Sequence, residues 1–198
     1  MTFATTLVSS AREQLEQWKL GAWTECGEGV AGANGSKRVA TYWLEGLGIN
    51  GLNGCVDQAW SAAFICWCMR KAGMALGEFP FSAGHHTYIR WAINNAKQDK
   101  PGKSYYGRRI DVRQPRPGDL IAQWRKAKKT SPDPNITFDA QPDDFYPAHC
   151  DIVVEAGSEA ILAIGGNVSN KVTLTRFTAI GGVLVPKKEL ICVMECAK

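Results

Sequence analysis

A chain of 198 residues with 45% hydrophobic and 21% charged residues fits one globular domain, long enough to bury about 70% of its unfolded surface. The net charge of +4 comes from basic residues scattered along the chain, with no stripe that alternates with aromatics, so nucleic-acid binding has no support. No apolar run approaches the ~20 residues of a bilayer span, and Met1 to Lys19 lacks the regions of a secretory signal, so synthesis in the cytoplasm without a membrane span is expected.

The first helix is expected over residues 4–19, with Leu7, Ala11, Leu15 and Trp18 on one face and Arg12, Glu13, Glu16 and Gln17 on the other. The glycine-rich run from Gly21 to Ser36 reads as loop, followed by a short helix from Lys37 to Leu47. A turn over Ile49 to Gly54 then delivers the chain to a central buried helix, Gln58 to Gly73. There Phe64, Ile65, Cys68 and Met69 recur at helical spacing, and Trp60 and Trp67 widen the apolar surface. Ser61 stands in its first turn, among backbone N–H groups that lack intrahelical partners. Such a serine serves as a cap or, because those donors favour developing negative charge, as a nucleophile. A further helix is expected from His85 to about Lys97, with Tyr88, Ile89, Ala92, Ile93 and Ala96 inward, and the helical half closes near residue 103.

The second half changes character. Pro115 to Ile121 is a turn followed by a strand, and the polar, Pro-containing stretch from Lys126 to Asp144 reads as a long surface excursion. Strands are expected over His149–Glu155, Ala160–Gly165, Val172–Phe177 and Leu190–Glu195, forming a small antiparallel sheet. Helices followed by strands imply an α+β fold, a single domain over 1–198 whose N-terminal helices (about 1–103) pack on the sheet half (about 115–198).

Seven cysteines, at 26, 55, 66, 68, 150, 192 and 196, are an odd number in a chain large enough to fold unstapled, which suits a reducing compartment. Neither His85-His86 nor His149-Cys150-Asp151 has the spacing of a zinc site, so no metal or organic cofactor is expected. Cys55, six residues before Ser61, is an alternative nucleophile whose plainer reading is a small buried residue. Pairing about a turn at Gly157-Ser158 sets His149 opposite Gly166 or Asn167, and Asp151 shares the face of His149. A carboxamide or carboxylate beside an imidazole fixes its tautomer and readies the other nitrogen as a base.

The motifs Trp60-Ser61-Ala62-Ala63-Phe64, Pro117-Gly118-Asp119-Leu120-Ile121, His149-x-x-Ile152-Val153 and Ile164-Gly165-Gly166-Asn167 occur in that order. They resemble the papain-like NlpC and CHAP (cysteine-histidine amidohydrolase/peptidase) superfamily. The chain is most similar to an uncharacterised branch with Trp-Ser-Ala-Ala-Phe-Ile, His-x-x-Tyr-Ile and His-Cys-Asp-Ile-Val-Val, over about Trp43 to Gly182. The resemblance implies a papain-like domain with Ser61 in place of the superfamily's nucleophilic cysteine, His149 as general base and Asn167 as orienting residue. It also implies that His86, Tyr88, Asp151 and Trp60 bind substrate or support the site.

The activity so implied is hydrolysis of amide bonds in peptidoglycan stem peptides. Because that substrate lies outside the cytosol, the protein is expected to act in the periplasm or cell wall after specialised secretion or lysis. As an exported antibacterial effector it would be paired with a cognate inhibitor (immunity) protein. A non-catalytic wall-binding module and a lipid acyl hydrolase or transferase of the same fold are the alternatives.

Overall fold

The computed structural model describes residues 1–126 and 134–198. Its elements are α1 (Phe3–Leu20), α2 (Gly29–Leu47), α3 (Ser61–Lys71), α4 (His85–Lys97), β1 (Tyr105–Arg108), β2 (Leu120–Trp124), β3 (Ala148–Ala156), β4 (Ala160–Val168), β5 (Lys171–Ile180), β6 (Val183–Leu184) and β7 (Leu190–Cys196). Four helices precede a seven-stranded antiparallel sheet of order β1-β7-β2-β3-β4-β5-β6, a mixed α+β fold. Within the expected excursion from Lys126 to Asp144, residues 127–133 lie outside the described residues.

Strand alternation divides the interior. Cys150, Ile152 and Val154 of β3 join Leu7, Trp43, Phe64 and Ile89 in the core between sheet and helices. Val153 joins Ile121, Ala163, Phe177 and Val193 in a second cluster on the opposite face. With both faces buried, β3 reads in sequence as a nearly continuous apolar run rather than an alternating one.

The glycine-rich segment differs from expectation, because α2 begins at Gly29 rather than near Lys37. Its glycines serve close packing. A Cβ on Gly32 would lie 2.3 Å from the carbonyl oxygen of Gly27, and one on Gly35 would lie 1.9 Å from that of Thr24. Gly46 meets α3 in the same way, 2.8 Å from Ala63 O and Trp67 N. Helix propensity counts against these residues by roughly 1 kcal/mol each, and tertiary contact overrides it. On the other side of the Thr24–Gly27 segment, a Cβ on Gly54 would fall 1.8 Å from Glu25 O. That segment is therefore held between α2 and the turn that leads to α3.

A disulfide between Cys26 and Cys55 closes this arrangement, with their Cα atoms 4.9 Å apart. Both residues are exposed, so Cys55 is neither a buried filler nor an available nucleophile: a disulfide-bonded sulfur offers no thiolate. Cys66, Cys68, Cys150 and Cys192 are buried free thiols, and Cys196 is half-buried.

Candidate functional site

The starts of α3, α4 and β3 and the end of β4 converge at one groove. The first intrahelical bond of α3 runs from Phe64 N–H to Trp60 C=O, so the N–H groups of Ser61, Ala62 and Ala63 lie ahead of it. Trp60 itself is the cap residue, and it is not among the residues lining the groove. It stacks against Trp18 and Tyr42, with centroids 5.3 and 5.7 Å away, and its Nε1–H donates to Glu25 at 2.6 Å.

Asn167 belongs to the same assembly. Its φ of 58° is one that asparagine tolerates better than most residues. With its amide assigned by its neighbours, Oδ1 accepts from Trp60 N–H at 3.2 Å and Nδ2 donates to Glu25 at 3.3 Å. The expected Asn167–His149 contact is thus replaced: Asn167 fastens the start of α3, because the β4 bulge after Gly165 turns its side chain to that helix.

Ser61 Oγ lies 2.7 Å from Nε2 of His85, not against His149 as expected. The Nδ1 of His85 is in turn hydrogen-bonded to the Tyr88 hydroxyl, one turn along α4. If Ser61 donates to Nε2, then His85 carries its proton at Nδ1 and donates to the Tyr88 oxygen. Tyr88 is fully buried beneath His85, so it does not line the groove.

His85 is 4% exposed, and burial is the first cause that holds its pKa well below the usual 6.5. Electrostatic repulsion from the neighbouring His149, Arg125 and His86 acts in the same direction. A neutral imidazole can accept the Ser61 proton, but charging it in the folded state is costly. The unfolded chain therefore binds more protons wherever pH lies between the depressed folded pKa and 6.5, and stability rises with pH there. The contribution of His85 to stability is fully present above about pH 6.5 and is lost as pH falls from there toward the depressed folded pKa. A thermal-unfolding series from about pH 5 to 8 is expected to show a Tm that climbs and then levels, with the slope reduced in His85→Gln.

His149 forms a separate pair. Its Nε2 lies 2.9 Å from Asp151 Oδ1, and Gln123 Nε2 donates to the other carboxylate oxygen at 3.1 Å. Asp151, not Asn167, is thus the group that orients His149 and leaves its Nδ1 for the groove. The two imidazoles are close, with centroids 5.2 Å apart. Gly165 makes room for this pair, since a Cβ there would lie 1.8 Å from Asp151 Oδ1 and 2.8 Å from His149 Nε2. Gly166 does the same on the other face, where a Cβ would lie 2.5 Å from that of Phe64. The Gly165-Gly166-Asn167 run is therefore a seat between helix and histidine rather than a turn.

The groove encloses about 350 Å³ and is lined by Ser61, His85 and His149 together with Phe145 and Tyr146. His86 lines it, its ring against Phe145 and Tyr146 with centroids 5.0 and 5.7 Å away. Burial and then Arg90 lower the pKa of His86. The residue that sequence reasoning missed is His85, noted only as part of a histidine pair. Its signal was the three-residue spacing to Tyr88, which places both on one face of a helix. Among the described residues, no group of three His, Cys, Asp or Glu side chains is arranged to hold a metal ion, and no helix is long and apolar enough to cross a membrane.

A family model described as "Uncharacterized protein conserved in bacteria (DUF2272)" matches residues 16–194. No curated protein and no solved structure matches the chain.

Proposed function

The chain belongs to this uncharacterized bacterial family, and from the site it carries we propose that it is a serine-nucleophile hydrolase of amide bonds in cell-wall peptides, built on a papain-like domain. The observation that carries the reading is the 2.7 Å contact between Ser61 Oγ and His85 Nε2 at the start of α3, open to a groove of substrate size. The ordered motifs shared with the NlpC and CHAP superfamily support the choice of peptidoglycan peptides as substrate. The Cys26–Cys55 disulfide suits action outside a reducing cytosol, in the periplasm or wall.

In this mechanism Ser61 Oγ attacks the scissile carbonyl carbon while its proton passes to His85 Nε2. The Tyr88 oxygen accepts from His85 Nδ1–H and holds the tautomer that leaves Nε2 basic. Charge developing on the carbonyl oxygen is met by the N–H groups at the start of α3, each worth about 3 kcal/mol in comparable sites. His85 returns the proton to the departing amine, and the acyl-serine is then hydrolysed with the same imidazole as base. His149, oriented by Asp151, faces the reacting centre across from His85 and contributes polarity rather than the first proton transfer. As an exported antibacterial effector, the protein would require a cognate inhibitor in the producing cell.

Purified sacculi digested with the protein and analysed by mass spectrometry test the reading. Fragments gaining one water at a stem-peptide amide are expected from the wild type and not from Ser61→Ala. If the wild type pellets with sacculi and releases nothing, the protein is a wall-binding module. Release of free fatty acid from lipid vesicles, with sacculi intact, would make it a lipid hydrolase instead.

A further inference from the structure

Among the described residues lining the groove, Arg125 is the one permanent charge. The others are histidines, amides, small residues and the aromatic pair Phe145 and Tyr146. Arg125 follows directly on β2, and its backbone N–H donates to Pro147 O at 2.8 Å, which fixes its Cα against the wall that carries Tyr146 and His149. Its side chain is exposed, and no carboxylate among the described residues pairs with it. This sets it apart from Arg12, Arg108, Arg109 and Arg113, each of which has an acidic partner. Asp151, the acid paired with His149, is 1% exposed and already shared between His149 and Gln123.

An exposed guanidinium with no carboxylate partner among the described residues, beside the groove that holds Ser61 and His85, selects for negative charge on whatever enters. Its planar fork matches a carboxylate through two parallel N–H···O bonds. We propose that Arg125 reads a free carboxylate beside the scissile amide, so that the groove takes acidic peptides and discriminates against their amidated forms. This deepens the hydrolase reading and rests on it for the position of the scissile bond. The aromatic pair in the same lining offers apolar surface to the uncharged part of that peptide.

The probe is a matched pair of sacculus preparations, one untreated and one whose peptide carboxylates have been converted to carboxamides with carbodiimide and ammonia. Wild type is expected to digest the untreated material about tenfold faster, as befits loss of a charge-assisted bond. In Arg125→Gln this preference collapses toward one, and Arg125→Lys, which keeps the charge but not the fork, restores part of it. Equal digestion of both materials by wild type, or a preference unchanged in Arg125→Gln, overturns the proposal. Binding separates this from failure of the hydrolase reading. Ser61→Ala protein should pellet with untreated sacculi more than with amidated ones, and the difference should vanish in Ser61→Ala/Arg125→Gln. If nothing is hydrolysed but that binding difference stands, the carboxylate site survives and the hydrolase reading falls. If fragments are released while binding and rate ignore amidation, the reverse holds.

Discussion

His85→Ala is expected to reduce kcat/KM on sacculi by about 10⁴-fold or more, close to the loss from Ser61→Ala, because nucleophile and base fail together when either is removed. His149→Ala is expected to cost far less, about 10- to 100-fold. The physical distinction is reach. Proton transfer requires heavy atoms about 2.6–3.2 Å apart, and Ser61 Oγ stands 2.7 Å from His85 Nε2 while His149 directs its Nε2 to Asp151. His149 nevertheless has what His85 lacks, a carboxylate to stabilise an imidazolium. A rotation of the Ser61 side chain on substrate binding would bring that advantage into play. The double comparison decides between the two imidazoles: if His149→Ala abolishes turnover and His85→Ala retains most of it, His149 is the base and His85 holds Ser61 only in the resting site. The Tyr88→Phe variant adds a second readout. It removes the acceptor that favours the Nδ1–H tautomer and should lower kcat while leaving KM nearly unchanged.

The elements that position the site are the ones whose sequence signals are local. The Phe64/Cys68 and Ile65/Met69 spacings mark α3, and the Tyr88/Ala92 and Ile89/Ile93 spacings mark α4. The β3–β4 hairpin follows from two apolar runs about a Gly-Ser turn, and Ile152 does oppose Ile164. That register correctly brings His149 near the end of β4, yet which side chain meets it depends on a bulge beyond Gly165 that composition does not signal. Asp151 was legible as a neighbour of His149 from strand periodicity alone. The Ser61–His85 contact was not, because it joins two helix starts 24 residues apart through tertiary packing. The glycines of α2 misled for a related reason. Gly32 and Gly35 have the composition of a loop, and only the backbone pressed against them explains why a helix carries them. The short strands β1 and β6, at four and two residues, fall below the length at which periodicity can be read.

Reduction of the Cys26–Cys55 disulfide is expected to lower stability by about 3–4 kcal/mol, the loop-closure value for residues 29 apart, and to lower Tm by about 10 °C for a chain of this size. Activity should fall with it, at temperatures where the rest of the fold persists. The bond ties the Thr24–Gly27 segment to the turn before α3, and Glu25 in that segment receives Trp60 Nε1–H. Glu25 also receives the Asn167 amide, which in turn accepts from Trp60 N–H, so one side chain steadies the cap residue next to Ser61 from two directions. Freeing the segment would loosen the N–H groups at the start of α3, the proposed oxyanion donors, and the Ser61 hydroxyl together. A displacement of about 1 Å there suffices for a hundredfold loss in rate. Thermal unfolding and sacculus digestion with and without dithiothreitol, compared with Cys26→Ser/Cys55→Ser, separate the two effects. Glu25→Gln, with the disulfide intact, should lower the rate with a much smaller change in Tm. If reduced protein melts lower but turns over at the oxidised rate well below its Tm, the bond is a staple alone and α3 holds Ser61 without help from the segment.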